Sequence, residues 1–208
     1  MYQPPHFREE SRDAQHALIR AHPLGLLVTA GPGGLIANPI PFLLDVNGGY
    51  GMLRAHLARA NPQAQDLAVV GEGLVVFQGP EGYVSPSWYA SKREHGRVVP
   101  TWNYAIVQVR GRPRVIEDPA WLRRQIADLT ALREAPRAEP WAVSDAPESF
   151  VAAQVQALIG VEIAITHLEG KWKMSQNRSA ADRTGVIAGL QAAGEADLAK
   201  LVAERSGS

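Results

Sequence analysis

Leu24-Gly-Leu-Leu-Val-Thr-Ala30, Gly31-Pro-Gly-Gly34, Leu35-Ile-Ala-Asn-Pro-Ile-Pro-Phe-Leu-Leu-Asp45, Asn47-Gly48 and Tyr50-Gly-Met-Leu-Arg-Ala-His-Leu57 follow one another almost without a break. The first is a run of apolar and β-branched residues, the pattern of a buried strand. Residues 31–34 form a turn. Residues 35–45 predict a second strand. Its prolines, Pro39 and Pro41, cannot donate to a ladder, so this strand belongs at an edge or is irregular. Asn47-Gly48 is a type I′ hairpin signal leading into a third strand over residues 50–57. These are three consecutive antiparallel strands joined by tight turns.

The remaining chain extends this pattern. Residues 8–22 predict a helix with Ala14, Ala17, Leu18 and Ala21 on one face, ended by Pro23; His16 and His22 are expected on its surface. Asn61-Pro62 opens a short helix to about Val69, with Asn as cap and Pro at the first turn. Residues 74–77 read as a fourth strand, and residues 78–99, rich in Gly, Pro, Ser and Tyr, mainly as a long loop that leaves room for short strand pieces; long loops in compact domains are often functional. Residues 102–110 and 113–116 form a hairpin around Gly111. Asp118-Pro119 starts a helix to about Glu134, residues 147–159 a further helix, and residues 160–174 a final long strand. Ser179-Ala-Ala-Asp182 caps the last helices. Strands and helices do not alternate regularly and no G-x-G-x-x-G opens a helix, which argues against a doubly wound nucleotide fold. The expected class is α+β, an antiparallel, closed or half-closed β-barrel with inserted and C-terminal helices.

Composition removes several functions. The 208 residues suit one domain, with residues from about 179 onward as a helical extension. Lys and Arg number 21, as do Asp and Glu, so the formal charge is zero and bulk electrostatics draw the chain to neither DNA nor acidic lipid. With no cysteine there is no disulfide, thiol catalysis or zinc ribbon, which fits a reducing compartment. Residues 1–10 are polar, unlike the apolar core of a signal peptide, and the protein reads as cytoplasmic. The six histidines are scattered without a metal-binding spacing, so no metal is expected. No G-x-S-x-G, P-loop or helix-turn-helix is evident.

Five groups of motifs, in order along nearly the whole chain, resemble the PaiB family. They are Met1-Tyr2 with Pro5-His6-Phe7; Ala37-Asn-Pro-Ile-Pro-Phe42; His56-Leu-Ala-Arg-Ala-Asn-Pro62; Phe77-Gln-Gly-Pro80 with Tyr83-Val-Ser-Pro-Ser-Trp-Tyr89 and Val98-Val-Pro-Thr-Trp-Asn-Tyr104; and Leu168-Glu-Gly-Lys-Trp-Lys-Met-Ser-Gln-Asn-Arg-Ser179 with Asp182-Arg183 and Gly185-Val186. Pro39 stands where the family often has His, and Met174 where Leu is common, a volume-conserving exchange. The resemblance implies an FMN-binding split β-barrel that forms a homodimer, with FMN at or near the interface between copies. It also implies the family's label of negative transcriptional regulator.

FMN makes chemical demands that the same residues can meet. Its dianionic phosphate calls for cations and aligned N–H donors. Arg59 and Asn61 stand at a strand end just before the helix opened by Pro62, and His56 shares a face with Ala58. Related split barrels place an Arg here for the phosphate, so Arg59 is the foremost candidate; the alternative is a cap beside a surface Arg. Lys171, Trp172, Lys173, Ser175, Gln176 and Arg178 put cations, amides and an aromatic into one short segment. Lys171 and Lys173 share a strand face that could meet phosphate, with Trp172 on the other; a solvated strand end with a core Trp is the alternative. Asn38, Ile40 and Pro41 lie where prolines free backbone groups for a flavin's pyrimidine edge, or simply protect an edge strand. Trp88, Tyr89, Trp102 and Tyr104 suit a pocket or an interface, with Lys92, Arg93 and His95 in the loop between.

Three functions compete. One is a flavin-binding regulator acting indirectly, through flavin redox state or a partner. The second is an FMN-dependent oxidoreductase, in which the flavin carries the chemistry and no side-chain catalyst need be visible. The third is a haem-binding split barrel with His56 or His167 as the axial ligand.

Overall fold

The computed structural model describes residues 1–206. In chain order the elements are β1 (Arg8–Glu9), α1 (Arg12–Ala21), β2 (Leu24–Gly31), β3 (Gly34–Pro41), β4 (Leu43–Asp45), β5 (Met52–Ala58), α2 (Gln63–Val69), β6 (Gly73–Val84), α3 (Ser91–His95), β7 (Thr101–Gly111), β8 (Pro113–Ile116), α4 (Pro119–Glu134), α5 (Glu148–Gln156), β9 (Leu158–Ala164), β10 (His167–Lys173), α6 (Ala180–Ala192) and α7 (Ala196–Glu204). The chain forms two compact units. One comprises Met1–Ala21, Gln78–Val107 and the chain from Glu169 onward; the other comprises His22–Phe77 and Gln108–Leu168. Among the described residues no helix is long and apolar enough to cross a membrane.

The His22–Phe77/Gln108–Leu168 unit is built on antiparallel ladders. Four strands run in the order β4-β5-β9-β8, with Leu53 opposite Ile163 and Ala55 opposite Val161, and with Pro113 and Val115 opposite the same two β9 residues. On β5 the residues Leu53, Ala55 and Leu57 are buried, while Met52, Arg54, His56 and Ala58 alternate with them. Helix α4 covers that second side: Arg54 Nη1 donates to Gln125 Oε1 at 2.9 Å, and its Nη2 bonds Asp128 Oδ2 at 3.1 Å. Gly160 makes room for the Trp121 ring, since a Cβ there would lie 2.3 Å from it. Leu122, Val151 and Val155 close a small core between α4 and α5.

In the same unit β2 pairs with β3 along its whole length and with the start of β6. Its inner side carries Leu27 and Thr29, and Phe42 meets Phe77 edge to face with ring centroids 5.7 Å apart. The outer side is uncharged: Leu24, Leu26, Val28 and Ala30 stand opposite Pro41, Pro39, Ala37 and Leu35. Leu24 is 61% exposed, Leu26 40% and Leu35 80%.

In the other unit β1 pairs with β10, Arg8 opposite Lys171 and Glu9 opposite Gly170. Helices α6 and α7 form a hairpin, Ser179 capping α6 by accepting from the Asp182 amide as the sequence indicated. Gly185 and Gly189 press against Trp88, and Gly82 against Leu198.

Five expectations change. The predicted helix over residues 8–22 begins only at Arg12, because residues 8 and 9 are spent in β1; His16 is buried at 2% exposure rather than on the surface. The strand over residues 35–45 breaks at Phe42, whose amide turns to Pro23 O at 2.8 Å. Residues 78–84, read as loop, extend β6. Gly79 and Gly82 mark close approaches rather than turns: a Cβ at Gly79 would sit 2.9 Å from Leu18 and 3.4 Å from Ala105. The long strand over residues 160–174 is two strands, parted where Ile165 N bonds Gly51 O and Thr166 N bonds Arg110 O, each at 3.0 Å. The type I′ signal at Asn47-Gly48 lies in a longer glycine loop, with positive φ at Gly48, Gly49 and Gly51.

Gly160→Ala drives a methyl into the Trp121 ring. Overpacking of this kind costs about 1–3 kcal/mol, so the urea midpoint should fall with an unchanged m-value.

Candidate functional site

In the unit of β2–β5, the residues singled out from sequence gather around one amide. Gln63, at the start of α2, is fully buried. Its Nε2 donates to Leu27 O at 3.0 Å, Thr29 Oγ1 at 3.2 Å and Ile36 O at 3.4 Å, so it ties α2 to both β2 and β3. Its Oε1 accepts from Asn38 Nδ2 at 3.0 Å, and its backbone N–H donates to Asn61 Oδ1 at 3.0 Å. Asn38 Nδ2 also reaches Asn61 Oδ1 at 3.4 Å. Asn61 thus caps α2 as expected. Each amide has three or four hydrogen-bonding positions, and these contacts leave the Asn38 carbonyl and the Asn61 NH₂ to serve a ligand. Ile40 is 4% exposed, a core residue, so only its backbone could face a cofactor; Pro41 is exposed opposite Leu24.

Arg59 lies on the turn between these strands and α2, its N–H bonded to Ala157 O at 2.8 Å. Its guanidinium pairs with Glu117 at 2.5 Å and reaches Leu158 O at 3.3 Å, and the side chain is 47% exposed. An exposed pair of this kind is worth about 0–1 kcal/mol, so an anionic ligand could displace Glu117 at small cost.

In the other unit the segment after β10 is held by backbone and side-chain bonds. Gln176 closes a turn, accepting from Met174 N at 2.7 Å and donating to Trp172 O at 2.7 Å. Ser175 sits at φ +62°, a conformation rare for a residue with a side chain. Buried Asn103 fixes it there, its Nδ2 donating to Ser175 Oγ at 3.0 Å while Ser175 Oγ donates back to Oδ1 at 3.2 Å. Trp172 is buried, with the Arg205 guanidinium 5.5 Å from its ring centroid. Trp102 is half-exposed, its indole N–H on Glu81 and its ring edge-on to Tyr83 at 6.0 Å.

The cations of this segment converge. Lys173 Nζ donates to Thr101 Oγ1 and, at 2.6 Å, to Trp102 O. Burial, then the Lys171 and Arg178 charges, hold its ammonium below the ordinary lysine range. Lys171 is 8% exposed, its ammonium 5.3 Å from the Tyr104 ring centroid and 5.5 Å from that of Tyr2. The Arg178 guanidinium lies 4.7 Å from the Tyr89 ring centroid. The nearby Asp182 carboxylate is committed to Ser91, accepting from its N and Oγ at 2.9 Å each.

The structure therefore assembles Asn38 with Asn61, and Lys171 with Lys173 and Arg178, as two separate sets. Sequence reasoning missed Gln63, and it read Thr101, Asn103 and Asp182 only as parts of motifs, without a place in the site. Gln63 carried one signal, its place directly after the Asn61-Pro62 cap; the others emerge only from tertiary contact.

His56 faces the α4 side of β5, beside Gly160. Its Nδ1 is buried without a hydrogen-bond partner, and burial holds its pKa below the ordinary histidine value. A lowered folded-state pKa means that the unfolded chain binds the proton more readily. The stability contributed by neutral His56 is full above about pH 6.5 and is lost as pH falls toward the lowered value. Between pH 7 and 5 the fall in urea midpoint should be smaller in His56→Gln than in the parent.

Residues 1–167 match the family model described as "Putative FMN-binding domain". An uncharacterized protein of Emericella nidulans is 39% identical, over 89% of this chain and 88% of its own. The "Protease synthase and sporulation protein PAI 2" of Bacillus subtilis is 29% identical, over 92% of this chain and 89% of its own. Among solved structures, the "FAD and Heme binding protein" of Mycobacterium smegmatis superposes with a TM-score of 0.58 at 21% identity, over 80% of this chain and 73% of that one. That likeness shows the fold, an α+β flavin-type split barrel. The motifs, the antiparallel ladders and the family match agree: the chain belongs to the PaiB-type family of FMN-binding domains, whose cofactor is FMN.

Proposed function

We propose that this chain is a homodimeric, cytoplasmic flavoprotein of the PaiB type with a regulatory output. The observation that carries the flavin reading is the amide pair Asn38 and Asn61 anchored on buried Gln63. One free carbonyl and one free NH₂ on a fixed frame complement the alternating donors and acceptors of a flavin's pyrimidine edge. With them we assign Ile40 and Pro41 through their backbone, and His56 and Arg59 at the strand end. Arg59 is held only by an exposed ion pair and suits a phosphate. In the other unit Trp102, Lys171, Trp172, Lys173, Ser175, Gln176 and Arg178 are assigned, by themselves, as a second candidate cofactor-binding set. Bound FMN would supply one- and two-electron redox chemistry; the protein's part is to hold and orient it.

The uncharged outer side of β2 and β3 supports the dimer. Leu24, Leu26, Val28 and Ala30, with Leu35, Ala37, Pro39 and Pro41 opposite, form a continuous apolar face of the kind that marks an interface. A second copy presenting the same face would cover it by two-fold symmetry. A regulatory role for the bare protein is indirect on this reading, since a net charge of zero provides little pull toward DNA.

The purified protein should show a flavin spectrum and release a compound of FMN mass on heating; a colourless protein that also fails to take up added FMN overturns the reading. Slow or absent turnover of reduced nicotinamide favours a sensor, whereas sustained oxidation makes the protein an oxidoreductase. Leu26→Glu, placing a charge in the apolar face, should convert a dimer to a monomer in sedimentation; an unchanged sedimentation coefficient removes this face as the interface.

A further inference from the structure

Among the described residues Lys171 is a buried charge with no counter-ion. Its side chain is buried, yet among the described residues no carboxylate pairs with it and no acceptor takes its protons; its ammonium meets only the Tyr2 and Tyr104 rings. A buried cation without an anion is expensive. Beside it stands Lys173, whose ammonium bonds a hydroxyl and a carbonyl, both neutral, and Arg178, whose guanidinium lies over the ring of Tyr89. Lys171 and Arg178 both repel the Lys173 ammonium, and the acid within reach, Asp182, accepts from Ser91 and faces the Arg178 charge, which leaves the two lysines without a carboxylate. The Tyr89 hydroxyl is buried beside the Arg178 guanidinium.

We propose that Lys171, Lys173 and Arg178, with the Tyr89 hydroxyl, form a receptor for a phosphate dianion. The turn that carries Arg178 is rigid, fixed by Gln176 and by the Ser175–Asn103 pair, so the cations are held in place before any ligand arrives. A dianion would relieve two repulsions at once and accept charge-assisted bonds from both lysines. Lys171, Lys173 and Arg178 lie beyond the 1–167 span of the family match, and Tyr89 lies within it. The inference rests on the flavin reading only for the source of the phosphate, which is either FMN itself or a second phosphorylated ligand.

The test is thermal unfolding of the flavin-free full chain in inorganic phosphate, against chloride of equal ionic strength. Phosphate tenfold above its Kd should raise Tm by roughly 3–6 °C. Lys171→Met and Lys173→Met should each weaken phosphate at least about tenfold; Lys200→Met, on the exposed side of α7, serves as the control for general charge. A phosphate effect that is absent, or that both variants retain, overturns the proposal. Repeating the titration on FMN-loaded and riboflavin-loaded protein identifies the source. Loss of phosphate binding with FMN but not with riboflavin means the receptor takes FMN's own phosphate. Phosphate binding that survives FMN loading means a separate phosphorylated ligand. A chain that takes phosphate but neither flavin sinks the cofactor reading and leaves the receptor standing.

Discussion

The ladder between β5 and β9 is the constraint on which the unit of β2–β5 depends. Its strands pair over their full lengths although roughly a hundred residues separate them along the chain. β9 is shared with β8, so one strand aligns both the hairpin that precedes it and the strand that delivers His56 and Arg59. Because side chains alternate with period two, the register that buries Leu53, Ala55 and Leu57 against Val161 and Ile163 also sends Arg54 and His56 toward α4. A slip by one residue would place Arg54 in the core. Such non-local pairing is slow to form, since a long loop must close before any contact is gained.

Most of the fold was legible where local chemistry is decisive. The Asn61-Pro62, Asp118-Pro119 and Ser179 starts are helix starts in the structure, and the strand over residues 24–30 stands within one residue of its predicted limits. Misreadings occurred where a residue type has two uses. Gly79 and Gly82 looked like turn residues but serve close approach to Leu18 and Leu198. Arg8 and Glu9 continue a plausible helix until β10 offers a pairing partner, a preference that no local pattern reveals. In the candidate site, the residues with distinctive chemistry were visible as motifs. Those that hold them were not: Asn103 lies some seventy positions from the serine it fixes, and nothing in its own surroundings marks the partnership.

The two candidate sets treat charge in opposite ways. Around Gln63 the demands are met by amides, carbonyls and the Thr29 hydroxyl, which itself donates to the buried Asp66 carboxylate. Around Lys171 the cations are crowded and their counter-charge is left to be supplied. Fixed neutral donors favour shape recognition, whereas unpaired buried cations favour charge recognition and give a ligand more binding energy per contact.

The five-way role of Gln63 has a consequence for reading unfamiliar chains. Its amide must reach two strands with its nitrogen and a third partner with its oxygen, while its backbone N–H serves the cap. Asparagine is one methylene too short, glutamate cannot donate, and methionine can do neither. The residue that follows an Asn-Pro helix start is therefore a single-letter test of how a split barrel fastens its second helix: a chain with glutamine there can use this brace, and a chain without it must hold the same turn by some other means.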